Sequence, residues 1–208
     1  IESAQGKVLA NPLGDPDVKR TTDGTLVGVT TNYFNAASVD TNGVDFEISY
    51  ANDVSIGQLD LGLNVMHILK YEIPSASGAK DVVGQFNFDN FARPMPETKI
   101  VISAMLSRGN HLLAGYGRYV SSYETSRPIS ASASTQGFTK DIDSFLTLDL
   151  QYNYLFDLSA YDMQFTLGLK NVFDAEAPKV YDAANWSYDS KHHDPRGRMV
   201  FLGLKIKR

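Results

Sequence analysis

Ile142–Phe173 reads IDSFLTLDLQYNYLFDLSAYDMQFTLGLKNVF, and its period decides the fold. From Leu146 to Tyr154 every second residue is apolar or aromatic, with Thr147, Asp149, Gln151 and Asn153 between them. After a break at Asp157–Tyr161 the alternation returns as Met163, Phe165, Leu167 and Leu169 against Gln164, Thr166, Gly168 and Lys170. A period of two means extended strands with one greasy and one polar face. The short connection makes the two strands antiparallel neighbours. Each is about ten residues long, which is what a tilted strand needs to cross hydrocarbon.

The same alternation recurs on both sides of this pair. A long strand is expected over roughly Thr31–Tyr50, clearest at Val44, Phe46, Ile48 and Tyr50. Gln58–His67 follows, with Leu59, Leu61, Leu63 and Val65 on one face, then Lys99–Ser107. A turn at Ser107–Asn110 leads into His111–Tyr123, assigned on length and neighbours because its alternation is poor. A last strand begins at Arg198, with Val200, Leu202, Leu204 and Ile206 aligned. Residues 1–25 are punctuated by Pro, Gly, Asp and Thr without period and read as loop, so 26–208 carries the strands.

The expectation is all-β: about seven antiparallel strands in up-and-down order. Connections alternate between short ones near 51–57, 107–110 and 157–161 and long ones near 71–97, 124–141 and 174–197. That alternation gathers the tight turns at one end of a meander and the long loops at the other. Outer-membrane barrels segregate their loops in this way, with short periplasmic turns and long outside loops. A closed bacterial single-chain barrel has an even strand number, and an open edge cannot sit in hydrocarbon with its N–H and C=O groups unpaired. Further strands are therefore expected to complete the wall. The plain alternative is a soluble antiparallel sheet, whose strands would also alternate.

Bulk properties narrow the classes. The 208 residues carry a net charge of −5 and no cysteine, which speaks against a nucleic-acid binder and excludes disulfides and thiolate metal sites. No apolar run is long enough for a transmembrane helix, although alternating strands would leave none in any case. Ile1 is not an initiator, and a fragment or processed chain is expected.

No catalytic constellation stands out, and neither a cofactor nor a metal site is expected. His192 and His193 are adjacent, so in extended chain they point apart. Asp182, Asp189 and Asp194 lack the spacing of a calcium loop. Asp45, Glu47, Asp60, Asn64, Asp149, Gln151 and Lys170 fall on the polar faces, expected to line a wet lumen. Arg118, Lys205 and Lys207 could balance the acids. Tyr50, Tyr71, Tyr116, Tyr119, Tyr123, Tyr152, Tyr154, Phe173 and Phe201 lie near strand ends, as an interfacial aromatic girdle requires. Phe86, Phe88, Phe91, Tyr181, Trp186 and Tyr188 of the long loops are the candidates for touching a ligand at the outer mouth. For each of them the alternative is loop packing on loop.

Three segments carry a family resemblance. Thr41-Asn42-Gly43-Val44-Asp45-Phe46-Glu47 resembles a strand signature, G-V-E/D-x-E, of TonB-dependent outer-membrane receptors. Asp141–Asp149 followed by Gly168-Leu169-Lys170-Asn171-Val172-Phe173-Asp174 resembles their penultimate hairpin. Tyr188–Gly203, containing His193-Asp194-Pro195-Arg196-Gly197-Arg198, resembles their closing segment. The resemblance implies a barrel of twenty-two strands with an N-terminal plug, of which this chain would be the last seven or so, without the plug. It implies a non-enzymatic, energy-coupled importer of a scarce nutrient such as a siderophore, haem, cobalamin or an oligosaccharide. Expected partners are outer-membrane lipid, the missing plug and strands, a TonB-type protein acting through the absent N-terminus, and a surface lipoprotein. The expected location is the outer membrane of a Gram-negative cell. The family usually ends in an aromatic residue. This chain ends Lys205-Ile206-Lys207-Arg208, so a final residue or two is missing or the assembly signal differs. The other readings are a passive porin-like barrel and a soluble β-rich ligand-binding module.

Overall fold

The computed structural model describes residues 16–31, 38–75, 78–87, 92–181 and 187–207, together with Val8 and Asn90. Seven long strands form one antiparallel meander: β3 (Asp40–Val54), β4 (Gly57–Ser75), β8 (Thr98–Arg108), β9 (His111–Val120), β12 (Phe145–Leu158), β13 (Tyr161–Lys170) and β14 (Met199–Lys207). Each pairs with its sequence neighbours in the order β3-β4-β8-β9-β12-β13-β14. The tight hairpins turn at Ser55-Ile56, Gly109-Asn110 and Ser159-Ala160. The protein is all-β with antiparallel main pairing, and among the described residues its sheets are not closed into a barrel. Among the described residues, β3 and β14 each keep one unpaired edge.

Register carries the alternation from strand to strand. Phe46 faces Val65 and Val65 faces Ile100. Ile100 faces Tyr119, Tyr119 faces Leu146, and Leu167 links Tyr152 to Leu202. A one-residue slip anywhere would reverse a whole strand. One face therefore carries Val44, Phe46, Ile48, Leu61, Ile102, Leu113, Leu146, Phe165, Leu167, Leu202 and Leu204. All of these remain exposed, from 38 % at Phe165 to 70 % at Leu202. Among the described residues no second layer covers them.

Several boundaries differ from the sequence reading. The first long strand starts at Asp40, with 32–37 outside the described residues. β4 runs on to Ser75, so Tyr71–Pro74 belong to a strand and not to the connection. It carries an extra residue near Leu69, where the register to β3 shifts between Asn42 and Gly43. The bulge brings Lys70 and Glu72 onto the face of Val44, where Lys70 contacts Asp40 at 2.8 Å and Glu72 at 3.0 Å. A hairpin of β1 (Val18–Arg20) and β2 (Leu26–Val29) crosses the boundary expected at residue 25.

The long connections are also more ordered than their composition suggests. β5 (Gly78–Asp81) folds back on the end of β4. β6 (Gln85–Asn87), β7 (Arg93–Met95), β10 (Tyr123–Thr125) and β11 (Asp141–Ile142) form a second sheet in the order β11-β10-β6-β7, with β6 parallel to β10. A short helix, α1 (Ala131–Thr135), is capped by the Ser130 hydroxyl accepting from the Ala133 N–H. Phe86, Tyr123, Ile142 and Val180 form a small core beneath this sheet. Strands of two to four residues carry too little period to show in a sequence.

Gly43 sits opposite the bulge, and a Cβ there would lie 2.8 Å from the His67 carbonyl oxygen. That neighbour is backbone and cannot rotate away. Gly43→Val is expected to lower unfolding free energy by about 1–3 kcal/mol through overpacking. Equilibrium denaturant titration against the parent chain measures it.

Candidate functional site

The polar face of the meander and the last long loop meet at the loop end of β12 and β13. Register places Asp45, Glu47, Asp60, Asn64, Asp149, Gln151 and Lys170 on one side of the sheet, together with Ser103, Tyr116 and Arg118. Asp149 and Lys170 belong to a cluster with the last loop. Asp45, Glu47, Asp60 and Asn64 are spread along β3 and β4. Gln151 joins a separate amide group nearer the tight turns. There the buried Asn153 Oδ1 accepts from Gln151 Nε2, Gln164 Nε2 and Thr166 Oγ1 at 2.8–3.1 Å.

Asp149 joins two elements. One carboxylate oxygen accepts from Arg118 Nη1 at 2.6 Å and the other from the Asn171 N–H at 2.9 Å. Asn171 has φ of +49°, the left-handed region that asparagine tolerates. Its side chain accepts from the Ala175 N–H and donates to the Ala175 carbonyl, turning the chain out of β13. Asp174, also at positive φ, accepts the Arg198 N–H at 2.7 Å, where the chain re-enters the sheet. Gly197 has φ of +66°, and a Cβ there would sit 3.1 Å from Asp174 Oδ1. Asp194 is gripped by Arg196 through Nε and Nη2 at 2.6–3.1 Å. Those bonds hold its carboxyl below the usual carboxylate range, with Lys170 adding to the effect.

Segments 149, 170–174 and 194–198 thus converge, although more than forty residues separate the first from the last. They border a concavity of about 270 Å³ whose floor includes Phe145, Thr147 and Met199. Pro195 borders a second, more open recess with Glu176 and Tyr188. Arg198 pairs with Asp174, its guanidinium 3.9 Å from that carboxylate, and Asp194 is taken by Arg196 instead.

Behind this cluster lies a buried knot. Asp189 is 2 % exposed. It accepts the Tyr123 hydroxyl at 2.6 Å and the Lys191 N–H at 2.9 Å, and its Oδ2 lies 2.7 Å from His192 Nδ1. Burial alone would raise its pKa, but these bonds outweigh it and keep the carboxyl below its ordinary value. Burial and the facing carboxylate push the Tyr123 phenol upward. The chain here is a turn and not extended, with the His192 and His193 N–H groups directed at the Asp189 carbonyl; His192 takes the carboxylate, and His193 is buried against the Tyr123 and Phe145 rings. Position 123 shows nothing of this in the sequence, because its partner lies sixty-six residues away.

The aromatic candidates divide. Phe86 is a core residue beneath the second sheet and not a mouth residue. Tyr181 packs edge-on against Phe138 and its hydroxyl reaches Ser130, loop upon loop. Tyr188 is half-buried, and Phe88, Phe91 and Trp186 lie outside the described residues. Of the girdle candidates, Tyr50, Tyr119, Tyr152 and Tyr154 fall on the apolar face. Tyr116 and Phe201 fall on the polar one, the Phe201 ring lying over Gly168, and Tyr123 is in the small core. Tyr71 lies beyond the bulge and Phe173 is exposed in the turn after β13.

Among the described residues no three histidine, aspartate or glutamate side chains converge as metal ligands, and no helix is long and apolar enough to cross a membrane. The arrangement can pin a loop and present a polar surface of mixed charge. No protein-family model matches the chain. No curated protein matches it either.

Two changes test the pin between strand exit and re-entry. Gly197→Ala is expected to cost about 1 kcal/mol through its positive φ. Asp174→Ala should cost a similar amount, about 1 kcal/mol, through the lost acceptor. Both should speed exchange at the Arg198 amide in hydrogen-exchange measurements while leaving amides in the middle of β12 unchanged.

Proposed function

We propose that this chain is the C-terminal part of the wall of a TonB-dependent outer-membrane receptor, a non-enzymatic importer of a scarce nutrient. The class includes carriers of siderophores, haem, cobalamin and oligosaccharides. The observation that carries the reading is the apolar face, continuous over seven strands and left uncovered among the described residues. An ordinary water-soluble protein does not leave so large an apolar surface bare.

Other features support it. Leu146 to Phe156 is about ten residue steps, about 33 Å along the strand, or about 25 Å when tilted by roughly 40° as in outer-membrane barrels. The hairpin end of that face carries Tyr50, His111, Tyr152, Tyr154, Phe156 and Tyr161, with His111 and Tyr154 centroids 4.9 Å apart. Its loop end is closed by His67, hydrogen-bonded to Thr98, and by the Lys70 ion pairs. Amphipathic rings at one boundary and charges at the other suit a slab of hydrocarbon between them. The unpaired edges of β3 and β14 then call for the remaining strands of a closed wall. The plug would lie against the polar face, the loops would stand outside a Gram-negative cell, and the TonB-type protein would act through the N-terminal part. Lipid, and a surface lipoprotein over the loops, complete the set of partners.

Neighbouring substitutions on one strand test the lipid-facing assignment. Leu61→Arg, and likewise Leu148→Arg and Leu167→Arg, should cost more than Asp60→Arg on the other face of β4, with a loss that grows from about 1 kcal/mol near the boundaries to about 2–4 kcal/mol toward the bilayer midplane. Recovery of heat-resistant folded protein from outer membranes reads the difference, and equal loss from both faces would sink the assignment. Uptake of a candidate siderophore or oligosaccharide that stops when the proton-motive force is dissipated separates an energised importer from a passive pore.

A further inference from the structure

His193 is a buried histidine set against two aromatic rings. Its side chain is 4 % exposed, and its ring lies 5.1 Å from Phe145 and 6.0 Å from Tyr123, centroid to centroid. Neither ring nitrogen has a hydrogen-bond partner among the described residues. An unpaired polar group in such a place opposes folding. What an imidazole offers over a phenyl ring is a proton-binding site that works near neutral pH.

The surroundings decide what that proton would do. His193 belongs to the segment 187–198, which the Asp189 knot holds against β10 and β12. From its own segment it faces Asp189 and His192; Lys191 and Asp194 are near in sequence, the latter held by Arg196. β10 contributes the Tyr123 phenol, already committed to Asp189, and β12 contributes the uncharged Phe145. Lys99 of β8 interacts with the same carboxylate. Among the described residues no acid touches the His193 ring; the nearby Asp189 carboxylate favours a charge there, but burial opposes that charge more strongly. From this geometry we infer that His193 is an acid-sensitive latch: protonation expels it from between Tyr123 and Phe145 and frees the 187–198 segment from the small sheet.

The sign follows from linkage. Burial pushes the His193 imidazole down to about 4 from 6.5. The open segment binds the proton near the ordinary value and the closed one does not, so closure is at full strength above 6.5 and weakens as pH falls toward 4. One proton taken up weakens it about tenfold per pH unit, about three-hundredfold over the window. Asp189 is held below its ordinary pKa and stays charged throughout. The latch does not depend on the transport reading, since every group in it lies in this chain.

The chain has no cysteine, so Ser190→Cys, at an exposed position of the same segment, gives a single site for a nitroxide. In the full chain the label is expected to gain mobility as pH is lowered from 7 to 4. In a His193→Phe background it should stay immobile over the same range. An equal transition in that background, or no transition in the parent, would overturn the latch. Should His193→Phe fail to fold, the parent alone decides by nitrogen NMR of its imidazoles. A His193 resonance that stays neutral until the segment opens supports the latch, and one that titrates near 6.5 with the label still immobile overturns it.

Discussion

A strand is chemically two-sided and edge-hungry: its side chains choose two environments, and its amides demand a neighbour on each flank. In this protein the seven long strands satisfy each other's amides in a ladder broken only by the bulge near Leu69 among the described residues, and align most of their greasy side chains on one surface. Register is the feature from which the other properties follow. It sets Asp149 beside Arg118, lifts Lys70 and Glu72 above the apolar belt through one extra residue, and leaves β3 and β14 as flanks with unused hydrogen-bonding capacity.

The sequence displayed this part of the fold openly. Leu146, Leu148 and Leu150 alternate with Thr147, Asp149 and Gln151 because each strand has one side that must avoid water, and such a rule is local. All seven strands were legible for that reason, including β9, where Leu112-Leu113 blurs the period and the neighbours decide. Boundaries were less legible. Tyr71–Pro74 read as connection because the bulge near Leu69 breaks the alternation while the ladder continues.

The second sheet was not legible, for a physical reason. Strands of two or three residues, such as Tyr123–Thr125 and Asp141–Ile142, exist because distant segments meet, not because of a repeating pattern within them. Phe86 illustrates the consequence: an aromatic residue in a polar loop reads as an exposed contact until a partner such as Val180 covers it. The motif residues fared better. Asn171, Asp174, Gly197 and Arg198 attracted notice as pieces of sequence, and the fold shows the physical task they share, which is to close the exit and re-entry of one long loop. The Tyr123–Asp189 bond had no advance signal, since neither residue carries a local mark of its partner.

The parallel pairing of β6 with β10 has a practical corollary. It sews the connection after β4 to the connection after β9, and Tyr123 fastens both to the segment before β14. These three excursions therefore form a single module. A chimera that swapped one of them for a counterpart from another protein would strand the hydrogen bonds and the small core of the other two. Grafting a new recognition surface onto this scaffold requires transplanting all three together.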